Sequence, residues 1–252
     1  MEMKKILAIG NSFSQDAVRY LYDIAAAEGK KLRVVNLYIG GCSLERHAEN
    51  IRGDISDYDY ELNGGEASGK ISVKSALGEA DWDAVTIQQV SGKSGIPESY
   101  EPFGDEVLSC IKECKPRAKV YFHQTWAYEI GSGHGDFPAY GCSQERMFES
   151  IVSASESFAR RRGLEIIPCG RLIQRLRSFP EFDVRSGGMS LCRDGFHLSA
   201  DYGRYAAGAM WYSVLFRAGL GSGGFIPGGT DEDLIRKIRN AVNELWKGRK
   251  DV

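Results

Sequence analysis

Five short runs of apolar and β-branched residues, separated by stretches long enough to hold helices, constrain this chain more than any other feature. Lys5–Gly10, Leu32–Ile39, Asp83–Gln89, Ala118–Gln124 and Leu164–Ile167 have the length and composition of buried strands. Helical patterns follow at 16–29, 99–115, 143–162 and 199–217, and glycine or proline ends each of them: Gly29, Pro116, Gly163 and Gly219. Consecutive strands joined through a helix pair in parallel by crossovers, and repeated crossovers cover both faces of the sheet. The expected fold is therefore α/β, with three layers (α/β/α) around a five-stranded parallel sheet, in a single domain spanning 1–252. One insertion breaks the rhythm. Tyr58–Leu62 and Ile71–Val73 alternate around Asn63-Gly64-Gly65, which predicts a hairpin near 57–74. A last helix is expected from Thr230, with Asp231, Glu232 and Asp233 in its first turn and Lys247, Arg249 and Lys250 at its end, as the macrodipole favours. Arg160-Arg161-Arg162 sits at a helix end for the same reason.

Charge and hydropathy narrow the function. Lys plus Arg number 32 against 34 Asp plus Glu, so there is no positive field to hold a phosphate backbone, and nucleic acid is not an expected partner. No apolar run approaches the roughly 20 residues that cross a bilayer, so no membrane partner is expected either. The first apolar run, Lys4 to Gly10, is too short for a signal-peptide core. The expected location is cytoplasmic, or secreted or periplasmic if a leader has been removed. Six cysteines without a C-x-x-C pair are too sparse for a disulfide scaffold and are expected as reduced core thiols.

Three segments follow strand ends, the rim at which open α/β sheets hold ligands. In Gly10-Asn11-Ser12-Phe13-Ser14 a serine opens a helix, with an exposed hydroxyl and an N–H aimed toward whatever that hydroxyl attacks. Ser12-x-x-Gln15 is also the pattern of a helix capping box. In Asp194-Gly-Phe-His197 a carboxylate three residues ahead of a histidine can fold back onto Nδ1, fix the tautomer and leave Nε2 to take a serine proton. The plain alternative is a turn in which Asp194 binds backbone amides and His197 packs. In Ile39-Gly40-Gly41-Cys42-Ser43 a glycine lets a backbone N–H approach a substrate oxygen, or simply makes a turn.

In order and spacing, Ile9-Gly10-Asn11-Ser12-Phe13-Ser14, Val34-Val-Asn36 running to Gly41, and Asp194-Gly-Phe-His197-Leu-Ser199 resemble the first, second and fifth blocks of the SGNH (GDSL-type) hydrolases. The resemblance implies a flavodoxin-like α/β/α fold and serine-based ester hydrolysis without a cofactor or metal. Ser12 matches the nucleophile and first oxyanion donor, Gly41 the second donor, and Asp194 and His197 the other triad members. Two positions depart from the pattern. Asn11 stands where the commonest motif has aspartate. The third block, which normally carries an oxyanion asparagine, reads Ile87-Gln88-Gln89-Val90-Ser91-Gly92. Glutamine versions of this strand end resemble a carbohydrate-acetylesterase branch and a related branch with Gln-Gln-x-Ser. Gln89 is the expected third donor, with Gln88 beside it.

Trp126 and Tyr128, at the end of the fourth strand run, are expected to form a platform for a sugar or acyl group, or else to pack in the core. His123, His134 and Asp136 match no spaced ligand motif, and no metal is expected. The expected function is an esterase cleaving a small-molecule or carbohydrate ester, such as an O-acetyl group. The alternatives are a non-catalytic carbohydrate-binding or scaffolding module on the same fold, favoured by the missing asparagine, and a metal-dependent phosphoesterase using the His123 region.

Overall fold

A computed structural model describes residues 2–248 of the chain. Arg249 and Lys250, expected at the end of the last helix, lie outside the described residues. The parallel strands β1 (Lys4–Gly10), β2 (Leu32–Tyr38), β5 (Ala84–Ile87), β6 (Lys119–His123) and β7 (Glu165–Ile167) fall on the five apolar runs. The antiparallel hairpin of β3 (Tyr58–Leu62) and β4 (Ala67–Ile71) adds to the free edge of β2, giving seven strands in the order β4-β3-β2-β1-β5-β6-β7 rather than five. Asn63 and Gly64 make the hairpin turn at φ 53° and 72°, the left-handed pair that an Asn-Gly signal announces.

Side chains alternate along each strand and so divide the core in two. Ile6 and Ala8 of β1 face a cluster with α1 (Ser12–Val18), α2 (Leu21–Ala27), α7 (Cys169–Leu176), α8 (Tyr202–Phe216) and α9 (Glu232–Lys247). Leu7 and Ile9 face the other, with α3 (Leu44–Gly53), α4 (Val73–Gly78) and α5 (Phe103–Cys114). The helix α6 (Gln144–Arg161) contributes to both, Met147 and Ile151 to the first and Ala154 and Phe158 to the second. A helix that is apolar all round must be covered all round, and α8, buried from Tyr202 to Leu215 except at Arg204, has α2 and α7 against it and α9 outside it.

Two local expectations are corrected. The pattern at 16–29 is two helices, because the first starts earlier, at Ser12, and ends at Val18. Asn11, not Ser12, is the N-cap, its side chain accepting from the Phe13 N–H while Ser14 closes the capping box. The short helices α3, α4 and α7 follow Ser43, Ser72 and Pro168 in stretches too brief to show a helical period.

At their carboxyl ends the strands are joined by a belt of buried side-chain hydrogen bonds. From β3 to β6 it runs Glu61, Asn36, Ser14, Asn11, Gln88, His123. Asn36 Nδ2 donates to Glu61 (2.7 Å), Ser14 Oγ to Asn36 Oδ1 (2.7 Å) and the Asn11 N–H to Ser14 Oγ (3.1 Å). Gln88 Nε2 donates to Asn11 Oδ1 (2.7 Å) and accepts at Oε1 from His123 Nδ1 (2.7 Å). Burial raises the Glu61 carboxyl above its ordinary value, and the bonds from Asn36 and Gln15 pull against that rise. Gly10 leaves room for this belt: a Cβ there would lie 2.2 Å from Ser14 Oγ.

His123, with Nε2 buried and unpartnered, and His47, buried against Tyr58 with Nδ1 2.8 Å from its hydroxyl, are both pushed by burial down to about 3. A histidine whose folded value lies below its unfolded value of about 6.5 binds its proton mainly in the unfolded chain, so stability rises with pH between the two values and is complete above 6.5. The urea midpoint should therefore hold steady above pH 7 and fall between pH 6.5 and 5. Each imidazole adds up to about 1.4 kcal/mol per pH unit. His47→Gln and His123→Gln should each remove about half of that slope; a midpoint flat from pH 7 to 5 would mean that both rings titrate as freely in the fold as outside it.

Candidate active site

Ser12 is the first residue of α1, directly beyond β1, where the N–H has no partner within the helix. Its Oγ lies 2.9 Å from His197 Nε2, and His197 Nδ1 lies 2.7 Å from Asp194 Oδ2. The carboxylate must receive a proton from Nδ1, which leaves Nε2 as an acceptor, so the Ser12 hydroxyl donates to it. Asp194 Oδ1 also accepts the N–H groups of Phe196 (3.2 Å) and His197 (2.7 Å). Partial burial works against the Asp194 charge, but the bonds from His197 and these amides outweigh it and hold the carboxyl below its usual range.

The loop that carries Asp194 and His197 is pinned from three directions. Cys192 and Leu198 form a β-bridge across its base, and Gly195 turns it at φ 84°. Trp126 Nε1 donates to the Phe196 carbonyl (2.7 Å), and the Glu129 N–H to the Gly195 carbonyl (2.7 Å). The third anchor is Asp16, one helical turn beyond Ser12 and fully buried. It accepts the Leu198 N–H (2.9 Å), Arg193 Nη1 at both oxygens (3.0 Å each) and Arg204 Nε (2.8 Å). Sequence reasoning passed over Asp16; the signal was an acid among the apolar residues Phe13, Ala17 and Val18, with arginines flanking the Asp194 block.

A cleft of about 660 Å³ opens over Ser12 and His197. Gly40 and Gly41 form one side of it, Gly41 at φ 63°, and Asn11 Nδ2 ties that loop down at the Cys42 carbonyl (2.9 Å). Val90 to Lys93 also line it, with Phe196, His134 and Asp136.

Four expected site residues are not brought to the cleft. Gln89 is buried, its amide donating to the Ser99 carbonyl (2.8 Å) and hydroxyl (3.0 Å) while Oε1 accepts the N–H groups of Leu44 and Val90. It stitches β5 to α3 and has no donor left for an oxyanion. Gln88 is spent in the belt between Asn11 and His123. Trp126 and Tyr128 are core residues rather than an open platform: Trp126 stacks on Phe13 with centroids 4.3 Å apart, and the Tyr128 hydroxyl lies 2.9 Å from Ser91 Oγ. The wall rings are instead Phe196 and His134, edge to face at 4.6 Å. His123 lies beneath the site and His134 in its wall, and among the described residues no group of three or more His, Cys, Asp or Glu could hold a metal ion.

The architecture is that of the SGNH/GDSL hydrolases. A lipase/acylhydrolase from Enterococcus faecalis aligns over 84% of this chain and 95% of its own at TM-score 0.55 and 16% identity. A carbohydrate esterase family 3 structure from Talaromyces cellulolyticus aligns over 85% and 97% at TM-score 0.54 and 12% identity. Within that fold the chain belongs to the DUF4886 domain family, a family of unknown function, which it matches over residues 5–243. A DUF4886 family protein from Bacteroides uniformis is 37% identical over 96% of this chain and 94% of that one, at TM-score 0.89. No curated protein matches the chain.

Asp16 joins the helix of Ser12 to the loop of His197, so Asp16→Ala should widen the gap between them. The hydrogen bonds lost from a charged group are worth about 2 kcal/mol in stability, because Arg193 and Arg204 are both partly exposed and can rehydrate. Misplacement of reacting groups by about 1 Å costs about 10²-fold in rate. Urea unfolding and turnover of an activated ester measure the two effects. Unchanged turnover in a variant that has lost the expected stability would mean that the loop holds its place without Asp16.

Proposed function

We propose that the protein is a serine esterase. One observation carries this reading: the continuous hydrogen-bonded line from Asp194 through His197 to Ser12 at the floor of an open cleft. As the Ser12 oxygen attacks an ester carbonyl carbon, its proton passes to His197 Nε2 and the carbonyl π pair moves onto oxygen. The N–H groups of Ser12 and Gly41 are the proposed donors to that oxyanion. Collapse of the tetrahedral adduct breaks the bond to the alcohol oxygen, which takes the proton from His197 and leaves an acyl-Ser12. Water then repeats the sequence, giving its proton to His197 and releasing the acid.

The open cleft, lined by Asp136 and Lys93 and by the Phe196 and His134 rings, suits a polar alcohol with a C–H-rich face, such as an O-acetylated carbohydrate. A short-chain acyl group is the fitting partner.

Ser12→Ala should abolish release of p-nitrophenol from the acetate ester while leaving the fold intact, because the helix cap is Asn11. Asp194→Asn should cut kcat by about 10⁴-fold, and combination with His197→Ala should add little, since members of one catalytic unit do not act additively. A fluorophosphonate should label the wild-type chain at Ser12. Wild-type turnover by Ser12→Ala would sink the mechanism; binding of acetylated sugars with no turnover by the unsubstituted chain would favour a non-catalytic module.

A further inference from the structure

With Gln88 and Gln89 both committed elsewhere, a third oxyanion donor has to come from another group that lines the cleft. Ser91 is such a group, 5% exposed, at the start of the short 3₁₀ turn Ser91–Lys93. Its hydroxyl belongs to a chain of bonds whose polarity can be read from one end. The Asp136 N–H donates to His134 Nδ1 at 3.1 Å, so a neutral His134 carries its proton on Nε2. That nitrogen lies 3.4 Å from the Tyr128 hydroxyl, and the Tyr128 hydroxyl lies 2.9 Å from Ser91 Oγ. With the His134 proton on one lone pair of the Tyr128 oxygen, the chain is completed when Tyr128 gives its own proton to Ser91. Burial raises the Tyr128 phenol well above its ordinary value, which keeps that proton in place. Ser91 Oγ, accepting from Tyr128, has its own O–H turned away from the tyrosine. Ser91 lines the cleft, so an O–H turned away from the tyrosine has the cleft within its reach.

We propose that Ser91 is the third oxyanion donor, its hydroxyl proton aimed at the developing negative charge by a relay from the Asp136 amide through His134 and Tyr128. The proposal rests on the esterase reading and adds to it a catalytic residue and two positioning residues. A hydroxyl polarised by a donor to its oxygen is a stronger donor through its own hydrogen, so the relay gives Ser91 strength as well as direction. It also gives His134 a task that its place in the cleft wall does not explain.

The experiment is steady-state turnover of p-nitrophenyl acetate together with the rate of fluorophosphonate labelling, whose tetrahedral adduct puts an oxygen in the same hole. Ser91→Ala should lower kcat by about 10²-fold with KM little changed, and should slow labelling in parallel, because the donor acts on charge that develops only in the transition state. Tyr128→Phe keeps the ring and removes the bond to Ser91; its kcat should fall about tenfold, the loss of one ordinary hydrogen bond. Should Ser91→Ala fold poorly, Ser91→Cys keeps a side chain of similar shape with a weak donor, and it should show the same loss in kcat. Turnover within twofold of wild type in the Ser91 variant, with Ser12→Ala inactive, overturns the proposal and leaves the esterase standing. An active Ser12→Ala overturns both. A loss in Ser91→Ala with no change in Tyr128→Phe overturns the relay.

Discussion

Asn11 is the residue on which the site depends, because it is bonded to three of the segments that form the cleft. Its Oδ1 accepts the Phe13 N–H at 3.0 Å and Gln88 Nε2 at 2.7 Å, while its Nδ2 donates to the Cys42 carbonyl at 2.9 Å. The start of α1, the end of β5 and the Gly41 loop are thereby held on one amide. A carboxylate in that place would accept from Phe13 and Gln88 but could not donate to Cys42, and two oxygens would face each other without a proton. Asparagine for aspartate and glutamine for the usual third-block residues are thus one arrangement. Gln88 spans the gap between Asn11 and His123, and Asn11 supplies the acceptor that Gln88 needs.

The loop of Asp194 and His197 is held in another way, by charge. Asp16 is buried completely, yet all its bonds go to groups at or beside the loop or to Arg204. A buried carboxylate is tolerable only when its lone pairs are filled, and four donor contacts fill these. Glu129, also buried, is less fully paired: one oxygen accepts from Ser190 Oγ, while Oε1 lies 3.9 Å from Arg177 Nε without a hydrogen bond. These carboxylates gain more in geometry than in stability, since isolated ion pairs add little net free energy. The 2.9 Å contact between Ser12 and His197 is the product, for it joins residues 185 positions apart.

The five parallel strands were legible because β-branched runs between helical spans have few other ways to fold, and the hairpin because Asn-Gly at φ > 0 leaves little choice. Ser12, His197 and Asp194, which the structure brings together, and Gly41, which lines the same cleft, could be picked out because each sits at a strand end or turn whose local chemistry is visible in a few consecutive residues. Gln88, Gln89, Trp126 and Tyr128 were not, and the reason is common to all four. Each lies just beyond a strand end, where the path of the following loop rather than strand alternation decides between cleft and core. Side chains with both an apolar body and a polar group suit either place, so residue type does not break the tie. Asp16 was obscure for a different reason: its partners Arg193, Leu198 and Arg204 are far along the chain, and no local pattern marks it.

The buried aromatics still govern the chemistry from below. Phe13 stacks on Trp126 at an interplanar angle of 16°, and Trp126 in turn holds the carbonyl of Phe196, whose ring lies 4.3 Å from that of His197. Phe13 approaches the same imidazole at 6.0 Å from another side. The His197 ring therefore has an aromatic group on two sides, Asp194 at Nδ1 and Ser12 at Nε2, and little freedom to turn. The aromatic cluster that follows β6 thus packs around the histidine instead of opening onto the cleft.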